Sequence, residues 1–123
     1  MSTIWKLVTG FIISYVIAAT QCVAQDNGRH VNLLKRSLQL VASGSCPEEL
    51  MSPFMLATCD QQLVAMKGRL EQVGSIRNTR YRGLQQTPYG PAEVYTVNFA
   101  NGTMVWMIKT GSDGKIDGLW SPG

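Results

Sequence analysis

The chain contains little of what enzymes and metal-binding proteins commonly use. It has one histidine, His30, and only eight acidic residues among 123. None of its three cysteines has a partner at the CxxC spacing of thiol oxidoreductases. Zinc sites use three or four ligands from cysteine, histidine and carboxylate side chains. Because this chain has few of these side chains, a zinc site is disfavoured. We therefore expect no metal ion and no other cofactor.

Other reactive patterns are also missing. Gly111 and Gly114 lie between predicted strands and not before a helix, so they do not form a phosphate-binding loop. The net charge of +3 is too small to indicate a nucleic-acid partner. A general base needs fixed geometry and an orienting partner, which His30 would lack near a fraying terminus. We predict that the protein is not an enzyme.

The first 24 residues are typical of a secretory signal peptide. Lys6 precedes an apolar run from Leu7 to Ala19, and Cys22 and Ala24 stand where a signal peptidase reads small residues. The run is shorter than the roughly 20 residues that span a bilayer; an uncleaved anchor is the alternative. We expect residues 25–123 to form one domain, periplasmic or secreted, with membrane contact only if the signal is uncleaved.

Two cysteines remain if Cys22 leaves with the signal peptide. Cys46 and Cys59 would then be in an oxidising compartment, where two cysteines favour one disulfide. Cys59 lies on the apolar stripe of a predicted helix, from which it could reach Cys46 in the preceding connection. Two buried free thiols are the alternative.

Helical periodicity dominates the first half of the domain. Apolar residues at spacings of three and four predict a helix over residues 31–42. Residues 46–49, Cys-Pro-Glu-Glu, are typical of the start of a short second helix, since proline and acids favour a first turn. A third helix is predicted to run from Ser52-Pro53 to about Val73. Gly68 inside it indicates a close approach to the sheet.

Alternation with a period of two begins after Gly74 and predicts four strands, over residues 76–84, 94–100, 103–110 and 115–120. Residues 85–91 are predicted to be a loop, because they contain two prolines and a glycine. Short connections order the strands as a meander. The predicted fold is α+β, with N-terminal helices packed on one face of a four-stranded antiparallel sheet.

The Asn101-Gly102 dipeptide predicts a two-residue type I′ turn between the two central strands. That turn would set Tyr95 opposite Ile108 and Val97 opposite Trp106. The side chains assigned to the core face by this register are Tyr95, Val97, Phe99, Met104, Trp106 and Ile108. This face contains no ionisable acid or base, and the hydroxyl of Tyr95 is its only polar group. Elsewhere, the carboxylate of Glu93 has no partner that the sequence indicates.

The segment GPAEVYTVNFANGTMVWMIKTGSDGKIDGLW resembles the C-terminal half of a small NTF2-like/cystatin-like domain of exported bacterial proteins. Such domains often accompany serine hydrolases of the β-lactamase type. The elements that carry the likeness are Gly74 closing a helix, Gly83 near a strand end, Val94-Tyr95, Phe99 and Gly102 at a turn, Trp106, and Asp113-Gly114-Lys115-Ile116. The resemblance implies a cystatin/NTF2-like fold and says almost nothing about function.

Two surface features are candidates for binding. Arg77, Arg80, Tyr81 and Arg82 form a basic, aromatic patch on the first strand, which would suit an acidic partner, an anionic headgroup or a glycan. The alternative is an edge strand protected by charge. The second candidate is the outer sheet face, with Val94, Val105, Met107 and Leu119. It would pair with another protein or be covered by the loop predicted over residues 85–91.

These patterns favour an exported, non-catalytic accessory module that binds a protein partner or forms a homodimer through its sheet. One alternative is a ligand carrier or NTF2-like enzyme with a pocket between helices and sheet, near Tyr95 and Trp106. Another is an inhibitor or immunity protein for a secreted hydrolase. A carrier needs a cavity of at least about 300 Å³ there, whereas an interaction module needs a filled core and an exposed apolar patch.

Overall fold

The computed structural model describes residues 28–122, so the predicted signal peptide lies outside the described residues. Two helices precede four strands: α1 Val31–Ala42, α2 Pro53–Val73, β1 Ile76–Thr87, β2 Gly90–Phe99, β3 Gly102–Thr110 and β4 Ile116–Trp120. The strands form one antiparallel sheet in the order β1-β2-β3-β4, and both helices pack against one face of it. The predicted α+β class and meander order are confirmed. No helix of residues 28–122 is long and apolar enough to cross a membrane.

Both long helices occur where the periodicity predicts them. Helix α1 buries the stripe that contains Leu34, Leu38 and Val41. Helix α2 begins at Pro53 because the Ser52 hydroxyl accepts a hydrogen bond from the backbone N–H of Met55, at 3.2 Å. Their apolar sides pack together over the sheet and share the core about equally with the inward-facing residues of the strands.

The short helix predicted at residues 46–49 is a single turn instead. The backbone N–H groups of Leu50 and Met51 both reach the Pro47 carbonyl oxygen, at 3.1 and 3.2 Å. The next N–H, of Ser52, donates to the Ile116 carbonyl of β4 at 2.8 Å, so pairing with the sheet replaces helix continuation. A disulfide joins Cys46 to Cys59, the pairing that the sequence favours, and attaches this turn to α2.

The prediction of a loop over residues 85–91 is wrong. β1 continues to Thr87 and β2 begins at Gly90, which leaves only Pro88 and Tyr89 as a turn. The Thr87 hydroxyl donates to the Gly90 carbonyl at 2.6 Å and accepts from the Tyr89 N–H at 3.1 Å. This side chain closes the turn at Pro88 and Tyr89, whereas Gly90 and Pro91 lie within β2 and pair with β1.

The β2–β3 hairpin has a register different from the predicted one. Its turn is Ala100-Asn101, not Asn101-Gly102, and Tyr95 lies opposite Trp106 instead of Ile108. The shift is by two residues, so each side chain keeps its face. The six residues predicted to face the core are all buried: Tyr95, Val97, Phe99, Met104, Trp106 and Ile108.

The end of α2 determines this turn. The Asn101 N–H donates to the Val73 carbonyl at 2.8 Å, and the Ala100 N–H donates to the Ser75 carbonyl at 2.9 Å. These two bonds hold the turn against the helix terminus. In residues 28–122 no residue other than glycine has a positive φ, which is incompatible with the predicted type I′ turn. A tertiary contact therefore overrides the local turn preference.

The space between the helices and the sheet is filled. Trp106 is almost fully buried, and the cavity that it bounds with Leu38 and Met55 is only about 30 Å³. This is roughly the volume of one water molecule. Within the described residues there is no room beneath Trp106 for a carried ligand.

Gly68 does not approach the sheet as predicted, because a Cβ added there meets nothing within 4 Å. The expected result of Gly68→Ala is a gain of about 0.5–1 kcal/mol in the free energy of unfolding, since alanine restricts the unfolded chain and favours the helix. Urea denaturation would measure this gain.

Gly74→Ala is the matched control. Gly74 ends α2 with φ 82°, and an added Cβ would lie 3.1 Å from the Cβ of Ala100. We expect this substitution to destabilise the protein by about 1 kcal/mol or more, because alanine disfavours a positive φ. A loss of stability in Gly68→Ala would mean that position 68 is constrained after all.

Candidate functional site

The outer sheet face differs from the prediction at β4. Leu119 lies opposite Ile108 and packs against the core, so its assignment to the outer face is wrong. The register shifts between Lys109 and Thr110, where Asp117 is an extra residue in β4. This β-bulge reverses the alternation of the remaining residues, and Trp120 takes the outer position instead.

Four apolar residues form a continuous outer-face strip: Val94, Val105, Met107 and Trp120. Met107 lies directly between Val94 on β2 and Trp120 on β4. It is only 3% exposed, whereas its neighbours in the strip are partly exposed. Residues 85–91, predicted to cover this face as a loop, are instead the paired ends of β1 and β2 and the turn between them. Both described helices lie on the other face of the sheet. The strip is therefore covered by no described helix.

The predicted basic patch is divided between the two faces of β1. Arg80 lies opposite Thr96, and the Arg82 guanidinium donates to the Thr96 hydroxyl at 3.1 Å on the outer face. Tyr81 points to the opposite face, where its ring packs against that of Tyr95 with centroids 5.4 Å apart. Arg77 is exposed at a register shift near the start of the strand. The arginines and the tyrosine therefore do not form one contact surface.

The helix-facing side of β2 carries a buried carboxylate that the sequence analysis missed. Glu93 is 7% exposed and shares its face with Tyr95, two residues later. One carboxylate oxygen accepts from the Tyr95 hydroxyl at 2.7 Å and from the His30 N–H at 3.0 Å. The other accepts from the Arg29 N–H at 3.0 Å. The predicted absence of an ionisable group on this face is wrong.

The segment before α1 explains why the carboxylate is buried there. The first N–H groups of a helix and of its lead-in have no intrahelical partner, and the helix dipole favours negative charge beside them. Gly28 allows the close approach, because a Cβ there would lie 2.1 Å from the Tyr95 hydroxyl oxygen. We call this arrangement, of Glu93, Tyr95 and the backbone of Arg29 and His30, the carboxylate clasp.

The clasp also corrects the prediction for His30. Its backbone is bonded to Glu93 and to the Tyr95 hydroxyl, so the residue is held and not at a fraying end. Its ring Nε2 lies 3.3 Å from the hydroxyl oxygen of Thr110. The ring therefore has a hydroxyl neighbour but no carboxylate at hydrogen-bond distance among the described residues.

Beside the clasp, strands β1 and β2 extend beyond the helices and leave the end of the inner face open. The resulting end cavity has a volume of about 450 Å³. Its walls are formed by Gly28, Arg29, His30, Tyr81, Leu84, Pro91, Glu93, Ile108, Lys109 and Thr110. Residues 28–122 contain no group of three or more histidine, cysteine or acidic side chains placed to hold a metal ion.

Tyr95→Phe would remove the hydroxyl that donates to Glu93. We expect a loss of about 1.5–3 kcal/mol in the free energy of unfolding, since a buried hydrogen bond to a charged group is lost. Denaturant titration would measure it. Tyr89→Phe is the control, because Tyr89 is exposed at the hairpin tip and should leave stability unchanged.

The same pair of variants should differ at alkaline pH. Burial and the hydrogen bond to Glu93 raise the pKa of the Tyr95 phenol above its ordinary value of 10.0. Because the folded state holds this proton more tightly, the associated stability is complete below pH 10.0 and is lost as the pH rises above it. Tyr95→Phe should flatten this decline. An unchanged decline would show that Tyr95 does not cause it.

Comparison with protein-family models, with curated proteins and with solved structures gives no match to this chain. The resemblance to an NTF2-like/cystatin-like domain therefore stays a prediction. What is established is the architecture itself, two helices on one face of a four-stranded antiparallel sheet.

Proposed function

We propose that the protein is a non-catalytic interaction module that binds a protein partner, or a second copy of itself, through the outer-face strip. The observation that carries this proposal is the uneven covering of the sheet. Helices cover one face, while the other carries Val94, Val105 and Trp120, each partly exposed, around the nearly buried Met107. Apolar surface gains free energy when it is removed from water, so such a strip favours association.

The filled core supports binding at a surface and disfavours a carrier with a ligand inside. The space beneath Trp106 is about 30 Å³, an order of magnitude below the volume of ordinary small-molecule sites. A ligand between the helices and the sheet would have to displace core side chains.

The state of the buried acid supports a non-catalytic role. Three donors from the chain itself engage the carboxylate of Glu93. The raised pKa of Tyr95 keeps its hydroxyl protonated and donating to that carboxylate. The groups most similar to a catalytic acid and base are thus used in holding α1 on the sheet.

The disulfide between Cys46 and Cys59 is typical of an oxidising compartment. Together with the signal-like pattern of residues 1–24, it supports a periplasmic or secreted location. A cystatin/NTF2-like domain acting as an accessory to an exported hydrolase is consistent with this location and is part of the proposal.

The proposal is tested by placing a charge in the strip. Val105→Glu would bury a carboxylate without a partner in any interface there, which should weaken the complex by about tenfold or more. The native mass of the wild type and of this variant, alone and with extract from the source cell envelope, would be measured by light scattering.

Val64→Glu is the matched control, because Val64 is 87% exposed on α2, on the other side of the molecule. The proposal expects a dimer or a stoichiometric complex that is lost in Val105→Glu and kept in Val64→Glu. A wild type that stays monomeric and captures no partner contradicts the proposal, as does a complex equally tolerant of both substitutions.

A further inference from the structure

We propose that the end cavity binds a small amphiphilic anion, a molecule with an apolar body and one acidic group. The cavity volume of about 450 Å³ lies within the range of about 300–1,000 Å³ typical of small-molecule sites. Unlike the space beneath Trp106, it is formed by backbone and side chains that are already in place, so no core residue has to move.

The walls of the cavity are suited to an apolar body. Leu84 lies opposite Glu93, on the helix-facing side of the sheet, but beyond the helices, and it is 66% exposed. Tyr81, Pro91 and Ile108 are further apolar walls of the same cavity. The exposed apolar surface of Leu84 is not covered by any part of residues 28–122. A ring or short chain resting on it would remove that surface from water.

The charges around the cavity favour an acidic group over a basic one. Lys109 is engaged by Asp117, with its Nζ 3.0 and 3.1 Å from the two carboxylate oxygens. Arg29 is exposed and forms no salt bridge within residues 28–122. Its backbone N–H donates to Glu93, and its guanidinium is paired with no carboxylate of the described residues. Because the carboxylate of Glu93 already has three donors, it offers little to a bound cation.

The end cavity and the outer-face strip lie on opposite faces of the sheet. Residues Glu93 and Ile108 of the cavity face the helices, whereas Val94 and Met107 of the strip face away from them. Ligand binding in the cavity is therefore independent of the proposed interaction surface, and the two proposals are tested by different substitutions.

A matched pair of fluorescent probes tests the proposal. 8-Anilinonaphthalene-1-sulfonate has an aromatic body and one anionic group, and N-phenyl-1-naphthylamine is its neutral analogue without the sulfonate. Both would be titrated into folded protein expressed from the full chain. We expect saturable binding of one sulfonate probe per protein, about tenfold tighter than binding of the neutral probe, since one charged hydrogen bond distinguishes them.

Three variants locate the site. Arg29→Gln should weaken binding of the sulfonate probe about tenfold and leave the neutral probe unchanged. Leu84→Asp should weaken binding of both probes. Because Leu84 is 66% exposed, we expect this variant to fold normally, and near-ultraviolet circular dichroism would verify its fold. Arg69→Gln, at an exposed position on α2, should change neither probe.

Several results would overturn the proposal. The first is absence of saturable binding of the sulfonate probe to folded wild type. The second is binding that Leu84→Asp leaves intact but Val105→Glu abolishes, which would place the probe on the outer-face strip. The third is equal weakening by Arg29→Gln and Arg69→Gln, which would show attraction to overall charge and not to the cavity.

Discussion

The hydrogen bonds to the carboxylate of Glu93 are the interaction on which the rest of the structure depends. This carboxylate is buried, and without the N–H groups of Arg29 and His30 and the hydroxyl of Tyr95 its desolvation would cost several kcal/mol. With these hydrogen bonds, the carboxylate of Glu93 holds Arg29 and His30, which precede α1, against β2. The start of α1 then closes one side of the inner face and leaves the end cavity beyond it.

The same bonds bear on the proposed function. The carboxylate of Glu93 accepts three hydrogen bonds from its own chain, and the raised pKa of Tyr95 keeps the phenol protonated and donating to it, so both groups are engaged in holding α1 on the sheet. The core beneath Trp106 is packed, and our proposals therefore place binding at surfaces of the molecule. The outer-face strip and the end cavity are two such surfaces, and the sheet separates them.

Periodicity alone predicts the helices and the faces of the central strands, because a register error of two residues leaves every side chain on its face. What it misses comes from contacts distant in sequence. The Val73 carbonyl moves the β2–β3 turn, and the extra residue Asp117 turns Leu119 inward. Glu93 escapes prediction because the prolines and glycine of residues 85–91 indicate a loop and place the start of β2 at Val94, four residues after its actual start at Gly90. Extending the alternation back from Tyr95 would have placed that acid on the core face.

Amide hydrogen exchange at Arg29 and His30, measured by nuclear magnetic resonance, tests the central claim most directly. If Glu93 holds these two N–H groups, they should be protected to the same degree as amides in the middle of β2 and β3, and Glu93→Gln should reduce their protection selectively. Exchange at the rate of an unstructured segment in the wild type would contradict the account. It would mean that the carboxylate is not committed to α1 and is free for another role.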